Sequence, residues 1–354
     1  MVTGGPCAGK TTALAAISAR CQELGFTPII LPEAATNLIV SGLDPTRPEF
    51  QEFVLRDILH NERVRTDAVR LGNIAKPVFI YDRGATDGAA YVDEDTFHGA
   101  LSKVGLNPVE ARDIYDGVIF LDTAAIGALE HYTRANNEAR RESPEQAVAI
   151  NNRTHQAWVG TPHLITVPNR PGETFEAKIH ECLEGLARIL GVPAPLEKEK
   201  KFLLPDFSLG YLPDGAVPID IIQTYLVSSN PKHVERVRAR GQHDRYLYFH
   251  TVKEFYAPGE AVERDRLVTE RVFSDLLVRR DHSLLSINKT RYCFAAHGHY
   301  YELDVFHGHR EGLVLLEVEV EDMDSEVFIP PELGTAVEVT QDQQYGNKHL
   351  AQAA

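Results

Sequence analysis

Gly4-Gly5-Pro6-Cys7-Ala8-Gly9-Lys10-Thr11 fits the spacing G-x-x-x-x-G-K-[ST], and a helical pattern follows from Thr12. Glycines let the backbone come close to a ligand, so successive amide N–H groups can cradle phosphate oxygens. A helix N-terminus adds its positive dipole end. On this reading Lys10 reaches the β- and γ-phosphates of ATP or GTP, the Thr11 hydroxyl holds Mg²⁺, and Thr12 completes the nucleotide-binding set. The alternative is a glycine-rich turn with no ligand.

Further charges follow apolar runs. Val78-Phe79-Ile80-Tyr81 leads into Asp82-Arg83, and Pro28-Ile29-Ile30-Leu31 leads into Pro32-Glu33. In open α/β sheets ligands bind at the carboxyl ends of strands. Asp82 there is placed to hold the metal or its water, and Arg83 to contact phosphate. Glu33 is placed to orient an acceptor hydroxyl or take its proton. Each is also readable as a surface charge. Arg134, Arg140, Arg141 and Arg153 fit either a lid closing over phosphates or a solvated helix face paired with Glu138, Glu142 and Glu145.

A second chemistry lies in the other half of the chain. Glu197, Glu199 and Lys201 alternate, as do Arg236 and Arg238, Lys289 and Arg291, and Glu317 and Glu319. Residues i and i+2 of a strand share a face, so each segment presents a charged face. Leu316, Val318 and Val320 form the opposite face of the last one and must be covered. A wet sheet exterior is the simple account, but it does not explain why some strands are basic and others acidic. A water-filled tunnel that binds a polyanion along its cations and metal at its carboxylates does. The pairs His297/His299 and His307/His309 flank a hairpin and read either as ligands of a transition metal or, as the simpler account, as solvated turn histidines.

The elements that must carry these groups change character midway. Up to about residue 190, strands at 78–81, 117–121, 164–167 and 28–31 alternate with helical segments at 12–24, 48–71 and 173–190, the pattern of a parallel sheet. Only Met1-Val2-Thr3 precede the phosphate loop, so its strand is either very short or the chain starts downstream of the natural beginning. Gly191-Val192-Pro193-Ala194-Pro195 is a stiff connector. Beyond it, period-2 segments predict an antiparallel sheet or barrel. Two domains result, 1–190 and 195–354.

Among 354 residues, 43% are hydrophobic and the net charge is −15. That apolar fraction excludes a wholly disordered chain, and the acidity argues against nucleic acid or an anionic membrane surface as partner. No run approaches the roughly 18 apolar residues of a membrane span. The first residues lack the pattern of a secretory leader. Four widely spaced cysteines read as free thiols. A cytoplasmic location is the expectation.

The segments Thr3–Thr12, Pro32-Glu33-Ala34-Ala35-Thr36 and Tyr81-Asp82-Arg83-Gly84 together resemble a P-loop kinase-like (AAA-type) family that includes nicotinamide-riboside-kinase relatives. Glu197-Lys198-Glu199-Lys200-Lys201, Arg236-Val237-Arg238, Thr251-Val252-Lys253, Lys289-Thr290-Arg291, Leu303-Asp304 and Glu317-Val318-Glu319 resemble, in order, the CYTH domains, or triphosphate tunnel metalloenzymes. The combination resembles the TRPL translocation defect family. These resemblances imply an α/β P-loop NTPase domain followed by an α+β domain with an eight-stranded antiparallel β-tunnel. Lys201, Arg236, Arg238, Lys253, Lys289 and Arg291 would bind an inorganic or organic triphosphate, or a phosphorylated small molecule. Glu197, Glu199, Glu317 and Glu319 would bind Mg²⁺ or Mn²⁺, with Asp304 nearby. Where the family has R-x-E-x-E, Arg266-Leu267-Val268-Thr269-Glu270 keeps Glu270 alone. The implied function is an ATP- or GTP-dependent phosphotransferase or NTPase joined to a tunnel that binds or hydrolyses a triphosphate. A non-catalytic regulator binding GTP and a phosphorylated lipid or metabolite is the alternative, with peripheral phosphoinositide contact left open.

Overall fold

Short apolar runs rich in β-branched and aromatic residues become the strands of the first unit, because both faces of a parallel sheet are covered by helices. They are β1 (Val2–Gly4), β2 (Thr27–Leu31), β3 (Pro77–Tyr81), β4 (Val118–Leu121) and β5 (Leu164–Val167). In the computed structural model, β1, β4 and β5 pair in parallel, β2 pairs with β3 in parallel, and a bridge between Val2 and Asp82 joins the two groups. The order across the unit is β2-β3-β1-β4-β5. The structure describes residues 1–132, 142–192, 197–230, 233–257, 260–297, 299–320 and 322–353, with the backbone alone at 197, 255–257 and 260.

The strand before the phosphate loop is only three residues long. It is nevertheless central, with Val2 buried among Ile17, Cys21, Ile80, Ile119, Leu121 and Val167. Helices α1 (Lys10–Glu23), α2 (Ala34–Val40), α3 (Phe50–Leu71), α4 (Glu94–Lys103), α5 (Pro108–Asp113), α6 (Pro144–Trp158) and α7 (Phe175–Leu190) fill the connections. Local signals set their ends. Ser143 and Gln146 form a capping box at α6 with Pro144 in the first turn, and Thr174 caps α7, which stops at Gly191 with φ +60°. Trp158 is fully buried and packs edge-on against Tyr115.

The chain divides after Val192, and the second unit runs from Pro193 to Ala354. Its strands are β6 (Glu197–Leu203), β7 (Val217–Leu226), β8 (His233–Gln242), β9 (Arg245–Ala257), β10 (Glu260–Val268), β11 (Ile287–Ala296), β12 (His299–His307), β13 (Val314–Glu319) and β14 (Val337–Glu338). They form one nine-stranded sheet in the order β10-β9-β8-β7-β11-β12-β13-β6-β14, and β6 also pairs with β10. That last pairing, Ala261 with Glu197 and Glu260 with Lys198, closes the sheet on itself. The ring therefore comprises every strand but β14, which has two residues and pairs with Phe202 and Leu203 of β6. This is one strand more than the expected eight, because the stretch of the same β6 edge beyond β10, at Phe202 and Leu203, is paired too.

Closure gives the sheet an inner and an outer face, and the apolar outer face is covered. Leu316 and Val318 are buried with Phe202, Phe294, Leu303 and Leu333, and Val327, Ile329 and Ala336 pack against them. Glu317, between Leu316 and Val318, points the other way. Among the described residues no helix is long and apolar enough to cross a membrane, and the four cysteines are free.

Candidate active sites

The phosphate loop joins β1 to α1 through two glycines at positive φ, where a side chain would be strained. Gly4 has φ +147°, and a Cβ there would stand 2.0 Å from the Leu121 carbonyl oxygen. Gly9 has φ +87° and caps α1, and its missing Cβ leaves room for the Phe175 ring. Between them lie Pro6, Cys7 (φ +60°) and buried Ala8. The Lys10 ammonium donates to the carbonyls of Gly4 (3.4 Å) and Gly5 (3.3 Å). Thr11 and Thr12 are exposed on the first turn of α1.

Asn151 of α6 holds this loop. Its Oδ1 accepts from the Gly5 amide (3.3 Å) and the Thr123 amide (2.9 Å), while its Nδ2 donates to Asp122 Oδ1 (2.8 Å). The Thr123 hydroxyl donates to the Pro6 carbonyl. One side chain thus ties the loop to the end of the neighbouring strand.

Asp82, Arg83 and Glu33 do come together beside Lys10. Arg83 Nε donates to Glu33 Oε1 at 2.7 Å, and Arg83 also meets Asp87 at 3.5 Å. Asp87 accepts from the Gly84 amide and from the Thr3 hydroxyl. Asp82 Oδ1 is buried without a hydrogen-bond partner. Burial pushes Lys10 down to about 8, with Arg83 adding to the effect. Burial raises the Asp82 carboxyl, and Glu33 beside it raises it further. Burial would raise Glu33 as well, but Arg83 and Lys10 outweigh it and hold its carboxyl below the ordinary value. Asp87, which no local pattern marked, belongs to the same cluster.

Of the arginines read as a lid, Arg134, Arg140 and Arg141 lie outside the described residues. Arg153 Nε donates to the Ala90 carbonyl at 2.7 Å, so it is engaged inside the fold.

In the second unit the charged faces turn inward. Arg236, Lys289, Arg291, Asp304 and Glu317 are all buried, which overturns a wet exterior for these strands. Burial of this many charges requires partners, and they are present in two groups. On β11, β12, β13 and β6, Arg291 bonds Asp304, Glu302 and Glu317. Lys289 bonds Asp304, and Lys201 bonds Glu317 and, at 2.6 Å, Glu199. The ladder sets these pairs up, since Lys201 lies opposite Glu317, Glu317 opposite Glu302, and Arg291 opposite Asp304. On β8, β9 and β10, Arg236 (2.7 Å) and Lys253 (2.9 Å) bond Glu263, and Arg238 bonds Asp265. The Nε atoms of Arg236 and Arg238 are buried with no hydrogen-bond partner.

The expected acidic residue Glu270 is not among them. Thr269 caps α8 (Glu270–Leu277), and Glu270 is its exposed first residue. Glu263 and Asp265, seven and five residues earlier in the chain, are the acidic residues that β10 brings to this cluster, with side chains 8% and 6% exposed. Glu302 also escaped the pattern. Glu319 stands at the exposed end of β13, opposite Glu199, and Glu197 is described only in its backbone. Among the described residues no group of three or more His, Cys, Asp or Glu comes together as a metal site. The histidine pairs do not form one either: His307 meets Thr290 and His309 the Leu350 carbonyl.

A parallel α/β unit with a glycine loop before its first helix is a P-loop unit, and residues 1–175 match the family described as AAA domain. The inorganic triphosphatase of Nitrosomonas europaea is 35% identical over 163 residues, spanning 44% of this chain and 96% of that protein. The crystal structure of an inorganic triphosphatase is 32% identical, covers 44% of this chain and 93% of its own, and has a TM-score of 0.32. A Pyrococcus horikoshii protein is 18% identical, covers 36% and 80%, and has a TM-score of 0.29. The chain belongs to the inorganic triphosphatase family. It is an enzyme that carries a P-loop unit ahead of the triphosphatase-like one.

Proposed function

We propose that the ring interior of the second unit binds a triphosphate and hydrolyses it with a divalent cation, while the first unit binds ATP or GTP and transfers or hydrolyses the γ-phosphate. The observation that carries the first part is the pair of buried, unpartnered Nε donors on Arg236 and Arg238. A buried donor without an acceptor costs on the order of 1–3 kcal/mol, and an anion's oxygens in the ring would remove that cost. Lys201, Lys253, Lys289 and Arg291 supply the remaining positive charge.

Carboxylates are the hard oxygen ligands that Mg²⁺ and Mn²⁺ take, although among the described residues they do not converge on a metal position while Lys201 bridges Glu199 and Glu317. Glu199, Glu317 and Glu319, with Glu197, would hold such an ion, and Asp304 would orient Lys289 and Arg291. A divalent ion there neutralises charge on phosphate oxygens and raises the acidity of water. The chain's own part is to hold the polyanion along the arginines and lysines, freeing Glu317 from Lys201 and Arg291 as their charge turns to phosphate.

In the first unit the unpartnered Asp82 Oδ1, with Thr11, would hold a metal. Lys10 would meet the β- and γ-phosphates, and Glu33 would accept a proton from an acceptor hydroxyl. Arg83, now bonded to Glu33 and Asp87, would contact phosphate or set the Glu33 carboxylate.

Equilibrium binding of ATP, GTP and inorganic triphosphate to full-length variants tests this reading. Lys10→Ala should remove one class of nucleotide site and keep triphosphate binding. Arg236→Ala should weaken triphosphate binding and keep the Lys10-dependent site. Absence of triphosphate affinity in Lys10→Ala protein would overturn the tunnel assignment.

A further inference from the structure

The phosphate loop lies between neighbours of opposite character. On the β3 side stand Asp82, Arg83, Glu33 and Asp87, the charges that act on Lys10. On the β4–β5 side, the chain leaving β5 enters α7, whose first residue is Phe175. The Phe175 ring lies against the loop: a Cβ built on Gly9 would stand 2.6 Å from Cε2 and 2.7 Å from Cζ. The ring is nevertheless 43% exposed. Phe175 continues the stripe of α7 on which Cys182 and Leu186 face the core, but it stands at the N-terminal end of that stripe, against the loop and open to solvent.

We propose that Phe175 is the stacking platform for the base of the nucleotide whose phosphates Gly4–Thr11 hold. This rests on the reading of that loop as a nucleotide site. The sheet order gives the direction. A terminal phosphate directed at Lys10, Asp82 and Glu33 on the β3 side leaves the other end of the nucleotide on the β5 side, where the open aromatic ring stands. The polar residues of the same connection are taken up by the fold. Asn169 Nδ2 donates to the Thr123 and Ile126 carbonyls, its Oδ1 accepts from Lys178, and Arg170 pairs with Glu181. Stacking is what this side offers, and every base has a π-face, so Phe175 supplies affinity without selecting adenine over guanine.

The test uses full-length protein and reads the binding component that Lys10→Ala removes. Phe175→Ala should weaken ATP and GTP in that component about tenfold and Phe175→Leu should weaken them as well, while Phe175→Tyr keeps wild-type affinity. Phe175→Trp adds a local reporter beside buried Trp158. Its emission should change on adding ATP or GTP and stay constant with inorganic triphosphate. Wild-type affinity in Phe175→Leu, which keeps an apolar side chain without a π-face, would mean that the ring supports the loop by packing, and the proposal fails. Unchanged ATP affinity in Phe175→Ala also defeats it. In both cases a loss of nucleotide binding in Lys10→Ala leaves the loop assignment standing, whereas no loss in Lys10→Ala defeats the loop assignment itself.

Discussion

Glu317 on β13 stands opposite Lys201 on β6 in the ladder, and the same carboxylate reaches Arg291 two strands away. One acidic side chain thus joins cations from both sides of its own strand. Burial alone would raise its pKa, but Lys201, Arg291 and Lys289 outweigh it and hold the carboxyl well below the ordinary 4.5. Such a group contributes stability that is full above 4.5 and lost as pH falls through the folded-state value. Glu317→Gln should therefore lower stability at pH 7 by about 3 kcal/mol. The variant should also lose less of its remaining stability than wild type between neutral pH and pH 3. Urea unfolding of the second unit at several pH values checks both.

Lys10 carries its charge below about pH 8. Nucleotide affinity at the loop should be flat below that pH and fall as the ammonium loses its proton above it. Lys10→Ala should be weak and lack this pH dependence. A wild-type affinity that stays constant to pH 9.5 would remove the electrostatic role given to this lysine.

Asn151→Ala takes the acceptor from the Gly5 and Thr123 amides. Leaving buried donors unpaired costs roughly 1–3 kcal/mol each, so the first unit should melt earlier and bind nucleotide more weakly. Triphosphate binding in the second unit should not change. Thermal unfolding and ligand titration measure the two effects separately.

Glu263 and Glu270 are separated by the structure, and activity should separate them too. Glu263→Gln removes the partner of Arg236 and Lys253 and should reduce triphosphate hydrolysis at least tenfold. Glu270→Gln changes an exposed helix residue and should leave it within twofold of wild type. Steady-state phosphate release with each variant decides the matter.

These two residues also show where the sequence was readable. The loop Gly4–Thr11 is a local motif whose spacing reflects direct backbone contact, Glu317 stands out because apolar residues alternate with it, and Lys289 and Arg291 because uncharged residues do. Val262-Glu263-Arg264-Asp265-Arg266 alternates acid with base instead, so both faces are charged and period alone cannot say which points inward. Only the ladder to β9 and the bonds to Arg236 and Arg238 settle it. Asp87 and Asn151 were invisible for another reason. Their partners Thr3 and Gly5 lie 84 and 146 residues away, and a polar residue in a helix carries no local mark of such a contact. The ninth strand was missed because two residues are too few to show a period.

The claim that the second unit is a triphosphatase independent of the phosphate loop has one direct measurement. Full-length Lys10→Ala protein is given inorganic triphosphate with Mg²⁺ or Mn²⁺, and phosphate release is followed. Release at the wild-type rate is expected, with loss of that release when Glu317→Gln is added. Release that disappears with Lys10→Ala alone, or survives Glu317→Gln undiminished, would contradict it.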